Sequence, residues 1–205
     1  MSLWLIGMSV TFMRLGILKE PEDETRVAIV PNSIPKLKKL GFEILIESGA
    51  GVSAHHLDAE YESKGASIVG RDDAMACEML ICIGAPDFSA LSEGQMVACV
   101  SDPFRHPERV KKAMDAKVIL MSMDMIPRRL SRAQAMDVNS SQDNLAGYKA
   151  VLMGAAHVPK GIPMMTTSAG TVRPAKFVIM GSGVAGLQAV ATAKRLGAVV
   201  SATDV

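Results

Sequence analysis

Apolar runs alternate with polar, helix-like stretches from Arg14 onwards. The first three segments, RLGILK, SIPKLKKLG and FEILIES, have the periods of a strand, a helix and a strand. The same alternation predicts helices at 58–64 and 107–116 and strands at 79–83, 96–100 and 118–122. Strands this apolar are typical of a parallel sheet that is covered on both faces. We therefore predict a first α/β domain over residues 13–125.

A polar segment and then a helical pattern follow, over residues 126–165. The rear half of this segment carries apolar residues at helical spacing, namely Leu145, Tyr148, Val151, Leu152 and Ala155. We predict a loop that leads into a long connecting helix, with Asn139, Ser140 or Ser141 as its N-cap. Gly147 and Tyr148 are predicted to be packing and core residues. The next stretch, TTSAGTVRPA, is predicted to be a loop.

The last thirty residues contain a strand, a glycine-rich turn, a helix and a second strand in that order. The turn reads Gly181-Ser-Gly183-Val184-Ala-Gly186 and opens the predicted helix. In such a turn the first glycine permits a tight bend, the second lets the backbone approach a pyrophosphate, and the third lets the helix pack closely on the strand. The helix N-terminus also offers free N–H groups to phosphates. We predict dinucleotide binding here; the alternative is a glycine turn required only for packing.

Asp204 stands at the end of the second strand, where a carboxylate can accept hydrogen bonds from the adenosine ribose hydroxyls. It would repel a 2′-phosphate, so the cofactor predicted is NAD(H). A Rossmann half has a third strand, and the sequence stops one residue later, so we expect a fragment of a longer polypeptide. The predicted fold is α/β with two Rossmann-like domains and parallel sheets. The second domain, residues 166–205, is incomplete.

Charge and composition exclude several classes of function. Lys and Arg (22) nearly cancel Asp and Glu (21), and no basic run stands out, so we predict no nucleic-acid partner. The first twelve residues are too short to span a bilayer, which takes about 20 apolar residues. They lack the charged start of a signal peptide, and we interpret them as an extension upstream of a start at Met13. No direct membrane insertion is therefore expected.

The metal-ligating residue types are scattered. His55, His56 and His157 have no nearby cysteine or carboxylate at ligand spacing, so no metal site is predicted. The three cysteines are an odd count without C-x-x-C spacing, which favours a reducing compartment.

Two motifs together resemble one enzyme family. A first domain that opens with KEPEDETRVAIVP, followed by a GSGVAG turn, is similar to the alanine dehydrogenase and proton-translocating transhydrogenase family. The segment PRRLSRAQAMDVNSSQDNLAGYKAV resembles the Arg-Gln-Asp loop of the transhydrogenases. The matching residues are Arg129, Gln134 and Asp137, and Ser140 falls where the family has a serine beside the nicotinamide.

The resemblance implies direct hydride transfer between NADH, held by this chain, and NADP(H) on a partner component. Gln134 would hydrogen-bond near both nicotinamides, Arg129 would orient the carboxamide or ribose, and Asp137 would hold Arg129 or the ribose. The residues also admit simpler roles. Gln134 could complete an S-x-x-Q capping box with Ser131, Asp137 could be a turn or cap residue, and Arg129 could be a solvated charge.

The resemblance further implies a complex. Its members would be a second copy of the chain in a homodimer, an NADP(H)-binding component and a membrane proton-channel component. The chain would sit peripherally at the cytoplasmic face of the inner membrane.

Two alternative functions remain open. An alanine-dehydrogenase-like oxidoreductase would have a lysine near 81–84 and a histidine near 97–102, and these regions read ICIG and VACVSD. His106 lies too far along to replace that histidine. Arg26 resembles the carboxylate-binding arginine of the dehydrogenases, but a surface ion pair would explain it as well. The other alternative is a non-catalytic nucleotide-binding module.

Overall fold

The computed structural model describes residues 13–205, so the interpretation of residues 1–12 as an upstream extension lies outside the described portion of the chain. The chain forms two compact units. The first ends at Ile126, and the second runs from Pro127 to Val205.

The first unit is built on a six-stranded parallel sheet in the order β3-β2-β1-β4-β5-β6. Its strands are β1 (Met13–Ile17), β2 (Phe42–Glu47), β3 (Ser67–Val69), β4 (Met79–Gly84), β5 (Met96–Val100) and β6 (Ile119–Ser122). Its α-helices are α1 (Ile34–Lys39), α2 (Asp58–Ser63), α3 (Arg71–Met75) and α4 (Pro107–Asp115). The predicted α/β class with parallel sheets is confirmed, and the predicted elements match to within one or two residues.

Apolar side chains cover both faces of this sheet. Ile44 and Ile46 on β2 belong to one buried cluster, whereas Leu45 between them belongs to another. Because successive residues of a strand point to opposite faces, the two clusters lie on the two sides of the sheet. Burial raises the pKa of the Cys82 thiol, on β4, to about 12. That thiol is therefore a protonated core residue.

The second unit contains α5 (Val138–His157), a hairpin of β7 (Met165–Thr167) and β8 (Gly170–Val172), and a β-α-β unit. The β-α-β unit consists of β9 (Lys176–Met180), α6 (Val184–Arg195) and β10 (Val199–Thr203), with β9 and β10 parallel. Its small core joins Val151 of α5 to Ala189 and Ala193 of α6. The expected strand-turn-helix-strand order is therefore present.

Two predictions about this unit are wrong. The segment TTSAGTVRPA contains half of an antiparallel hairpin, because Gly170 takes a φ of +129° that lets the chain reverse and pair Thr167 with Gly170. Tyr148 is 46% exposed and is not a core residue. The helix instead meets its neighbour through Gly147, which is buried as predicted.

Candidate functional site

The glycine-rich turn joins β9 to α6 and is closed against β10. Gly181 has a φ of +96°, a backbone conformation that side-chain-bearing residues rarely adopt. Its N–H donates to the Thr203 carbonyl at 2.8 Å, which ties the start of the turn to the end of the neighbouring strand. The turn therefore lies at the carboxyl edge of the two-stranded sheet, where ligands of parallel α/β units bind.

The other two glycines of the turn meet different demands. A Cβ on Gly186 would lie 1.8 Å from the Gly181 carbonyl oxygen, so only glycine lets α6 approach the turn this closely. A Cβ on Gly183 would meet no atom within 4 Å. Packing therefore requires Gly186 but not Gly183. Open space beside the backbone at Gly183 is what a pyrophosphate would need.

The N-terminus of α6 faces this open space without a side-chain cap. Gly183 is the N-cap, and Val184, the first helical residue, is 37% exposed. The Leu187 N–H donates to the Gly183 carbonyl at 2.8 Å, so the amides just before Leu187 have no acceptor within the helix. These amides and the positive end of the helix dipole suit a phosphate group.

Asp204 follows β10 and turns back to the glycine-rich turn. Its Oδ2 accepts the Ser182 N–H at 2.6 Å and the Ser182 hydroxyl at 2.7 Å, and its Oδ1 accepts the Val205 N–H at 2.8 Å. These bonds, the one from the Ser182 hydroxyl first, lower the pKa of Asp204 from its ordinary value. The carboxylate is therefore ionised and held beside the turn. The sequence analysis missed Ser182, which occupies a position that the glycine pattern leaves unspecified.

The long helix α5 packs against the start of α6 through Gly147. A Cβ on Gly147 would lie 2.0 Å from the Ala185 carbonyl oxygen. Asp137, at the start of α5, is ten residues before Gly147, which is roughly 15 Å along a helix. The predicted site residues thus form two clusters: a turn cluster (Gly181, Gly183, Val184, Gly186, Asp204) and a loop cluster (Arg129, Gln134, Asp137, Ser140).

Asp137 is the N-cap of α5. Its Oδ1 accepts the Ser140 N–H at 2.9 Å, its Oδ2 accepts the Ser140 hydroxyl at 2.5 Å, and its backbone carbonyl accepts the Ser141 hydroxyl at 3.0 Å. The predicted caps Asn139, Ser140 and Ser141 are therefore wrong, because all three lie inside the helix. The side chain of the residue that precedes the helix takes its free amide, as an N-cap does.

The charged partner of Asp137 is Arg128. The Arg128 Nε lies 3.8 Å from Asp137 Oδ2, and its Nη2 lies 3.5 Å from Asp143 Oδ2. The expectation that Asp137 holds Arg129 is wrong. Neighbouring residues in a loop point in different directions, and here Arg128 turns towards the helix whereas Arg129 is exposed.

Gln134 opens a short 3-10 helix, Gln134–Met136, whose N-cap is Ala133. No side chain caps this helix, so the alternative capping box with Ser131 does not form. The Gln134 side chain is exposed, and no hydrogen bond of it to another described residue is found. Gln134 and Arg129 are therefore presented to solvent, while Asp137 and Ser140 fix the helix behind them.

Substitution of Asp137 separates its capping role from its charge. We expect Asp137→Ala to speed amide hydrogen exchange at Ser140 about tenfold, because it removes the acceptor of that amide. Asp137→Asn should preserve protection, since asparagine is an equally good N-cap. NMR-detected exchange tests both variants, and equal exchange in the alanine variant and the parent would contradict the capping role.

The cap should also depend on pH. The bonds from Ser140 lower the pKa of Asp137 in the folded chain. A lowered pKa means that the stabilisation is fully present above the unfolded value of about 4 and is lost as the pH falls through the folded value. In Asp137→Asn this acid-induced loss should be absent.

Carboxylates also occupy the carboxyl edge of the first unit's sheet. Strands β1 and β4 are neighbours there, at the point where the strand order reverses and ligands often bind. Glu20, after β1, accepts the N–H groups of Ile83 at 2.5 Å and Gly84 at 3.2 Å. Asp124 accepts those of Ser101 and Asp102 at 3.1 and 3.0 Å. The chain's own side chains thus satisfy these amides.

Arg26 lies in an ion pair with Glu24, as the simpler interpretation of that residue expected. Its Nε donates to Glu24 Oε1 at 2.8 Å, and the hydrogen bond from the guanidinium lowers the pKa of Glu24. His106 contacts the carboxylate of Glu108 at 3.1 Å. Within residues 13–205, no group of three or more His, Cys, Asp or Glu side chains could hold a metal ion. The same stretch of the chain has no helix long and apolar enough to cross a membrane.

Comparison with known families agrees with this geometry. Residues 16–146 match the alanine dehydrogenase/PNT N-terminal domain, and residues 150–205 match the C-terminal domain of the same family. The loop cluster lies within the first match, and the turn cluster lies within the second.

Individual relatives come from both branches of the family. The first of the separate parts of NAD(P) transhydrogenase subunit alpha in Rhodospirillum rubrum is 42% identical over 94% of this chain, which covers 53% of that protein. Alanine dehydrogenase of Mycobacterium tuberculosis is 29% identical over 94% of this chain, which covers 54% of that protein. The chain thus spans about half the length of the curated relatives that it matches, and its identity to the transhydrogenase is the higher.

A solved structure gives the same result. The crystal structure of transhydrogenase from Sinorhizobium meliloti superposes with a TM-score of 0.90 at 44% identity, over 94% of this chain and 59% of that one. Together with the two domain matches, which cover most of the chain, this shows that the chain belongs to the alanine dehydrogenase/PNT family.

Proposed function

We propose that this chain is the NAD(H)-binding component of a proton-translocating NAD(P) transhydrogenase. The observation that carries the proposal is the turn cluster: an uncapped helix N-terminus, an open backbone at Gly183 and an ionised Asp204 around one turn. The higher identity to the transhydrogenase relative than to the alanine dehydrogenase relative supports the choice within the family.

The turn cluster fits a dinucleotide at two points of its structure. The amides after Ser182 would bind the pyrophosphate, since they lack helical acceptors. Asp204 would accept a hydrogen bond from the adenosine ribose and repel a 2′-phosphate, which favours NAD(H) over NADP(H). Gly186 and Gly147 would act indirectly, because they hold α6 against the turn and against α5.

The bound nicotinamide supplies the hydride, so the protein has no proton to move at the reacting atoms. Its contribution is position, because holding reactants at a near-attack separation of about 3–3.5 Å can account for much of a rate enhancement. The loop cluster would do this. Gln134 and Arg129 are exposed and would contact the nicotinamide side, whereas Asp137 would anchor the loop through α5 and Arg128.

The proposal includes partners beyond this chain. They are a second copy in a homodimer, an NADP(H)-binding component and a membrane proton-channel component. The chain would be peripheral, at the cytoplasmic face of the inner membrane. The R. rubrum relative is named as one portion of a transhydrogenase alpha subunit, which supports a multi-component assembly.

A coupled assay tests the proposal against its alternatives. A chimera in which the R. rubrum relative continues the sequence after Val205 is mixed with an NADP(H)-binding component, and hydride transfer from NADH to an NADP⁺ analogue is followed. Pyruvate plus ammonium is the control. Transfer to the nucleotide alone supports the proposal, and NADH consumption only with pyruvate and ammonium would establish an alanine-dehydrogenase-like enzyme. Binding without either reaction would indicate a non-catalytic module.

Gln134→Asn gives the sharpest test of the loop cluster. We expect hydride transfer in this assay to slow by about 10- to 100-fold, because shortening the side chain misplaces its amide by about 1 Å. NADH affinity should change little, since the turn cluster is untouched. Ser131→Ala, exposed in the same loop, is the matched control and should leave the rate unchanged. Normal turnover with a large loss of NADH affinity would refute the role of Gln134.

A further inference from the structure

The carboxylate of Asp204 has only a limited capacity left for a ligand. An ionised carboxylate offers about four acceptor positions. The Ser182 N–H and hydroxyl both use Oδ2, and the Val205 N–H uses Oδ1. One position therefore remains, and it is on Oδ1. This geometry suits one hydroxyl donor rather than a group that needs both oxygens.

The Ser182 hydroxyl determines which way that remaining position points. Rotation about the terminal torsion of an aspartate is broad and weakly restrained, and Asp204 is exposed at the end of β10. The bonds at 2.6 and 2.7 Å fix Oδ2 against the turn, so Oδ1 is held on the other side. Bonds of this kind to a charged group are among the stronger ones in proteins.

The same contact divides the amides of the turn between two anions. The Ser182 N–H is used by Asp204, so amides for a phosphate begin at Gly183. A carboxylate thus lies one residue from the predicted phosphate position. A ligand with a further phosphate on its ribose would place like charges together there, at a cost in binding free energy.

We propose that Ser182 is a specificity-determining positioning residue. Its hydroxyl holds Asp204 so that one carboxylate oxygen accepts a ribose hydroxyl of NAD(H), while the fixed charge excludes the 2′-phosphate of NADP(H). This inference rests on the proposed function, because it assumes that the turn cluster binds a dinucleotide.

The test compares NADH and NADPH binding to the 205-residue chain and its Ser182→Ala and Ser182→Thr variants. Titrations followed by NMR of the backbone amides detect weak binding as well as tight binding. We expect the parent to prefer NADH and Ser182→Ala to lose about tenfold of that preference, because one bond to the charged carboxylate is gone. Ser182→Thr keeps a hydroxyl and should restore the preference, which a merely structural role for the serine would not predict.

The outcomes separate the inference from the proposed function. Loss in the alanine variant with recovery in the threonine variant supports the positioning role. An unchanged preference in a folded Ser182→Ala chain overturns that role but leaves NAD(H) binding intact. If the parent binds neither nucleotide, or prefers NADPH, the proposed function fails and this inference fails with it.

Discussion

Replacement of Gly147 by alanine is expected to destabilise the second unit by about 3 kcal/mol. The added Cβ would lie 2.0 Å from the Ala185 carbonyl oxygen, which is a backbone atom and cannot swing aside. Helices α5 and α6 would have to separate, and the small core around Val151 and Ala193 would open. Alanine gains up to about 1 kcal/mol in helix propensity over glycine, which offsets only a fraction of this cost.

Gly154→Ala on the same helix is the matched control. Its Cβ would make an ordinary contact of 3.6 Å with the Phe177 ring, so the propensity gain should dominate and stabilise the unit by about 0.5–1 kcal/mol. Thermal denaturation, with hydrogen exchange resolved over α5 and α6, measures both changes. The close approach of the two helices would be refuted if both variants changed stability in the same direction by a similar amount.

The role of Gly147 shows what periodicity in the sequence can and cannot establish. The apolar spacing correctly predicts a long helix that packs through Gly147 and Val151. It wrongly places Tyr148 in the core, because the spacing does not show how wide the buried stripe is. Where two backbones approach closely, the contact is made by glycine and alanine, and larger neighbours such as Tyr148 and Leu145 remain exposed.

The turn cluster was predictable because its chemistry depends on the order of elements. A strand, three spaced glycines, a helix and an acid at the next strand end place Asp204 beside the turn in any parallel β-α-β unit. The donor that occupies its carboxylate depends on the backbone direction at a single residue. The partnership with Ser182 therefore emerges only from the structure.

The loop cluster was less predictable, because its residues lie in irregular backbone. Resemblance pointed to Arg129 and Asp137 as partners, but adjacent loop residues diverge by large angles, and it is Arg128 that reaches Asp137. The N-cap was also misplaced by up to four residues. Several polar residues in succession can each cap a helix, and only the backbone shows which of them precedes it.

Gly183→Ala and Gly186→Ala are expected to abolish NADH binding for different reasons. In Gly186→Ala the new Cβ would lie 1.8 Å from the Gly181 carbonyl oxygen, so the turn itself must break and the second unit should lose about 3 kcal/mol of stability. In Gly183→Ala the Cβ meets no protein atom within 4 Å, and the φ of −68° is ordinary for alanine. This variant should fold as the parent does.

The loss of binding in Gly183→Ala would then come from the ligand side. A methyl group at this position would occupy the space into which the pyrophosphate approaches the backbone, and we expect NADH affinity to fall more than about tenfold. Thermal denaturation and ligand-observed NMR on the same samples separate the two effects. An unchanged NADH affinity in a stable Gly183→Ala chain would show that the ligand does not approach this backbone. A collapse of stability in that variant would instead contradict the open space at the N-terminus of α6, on which the predicted phosphate site depends.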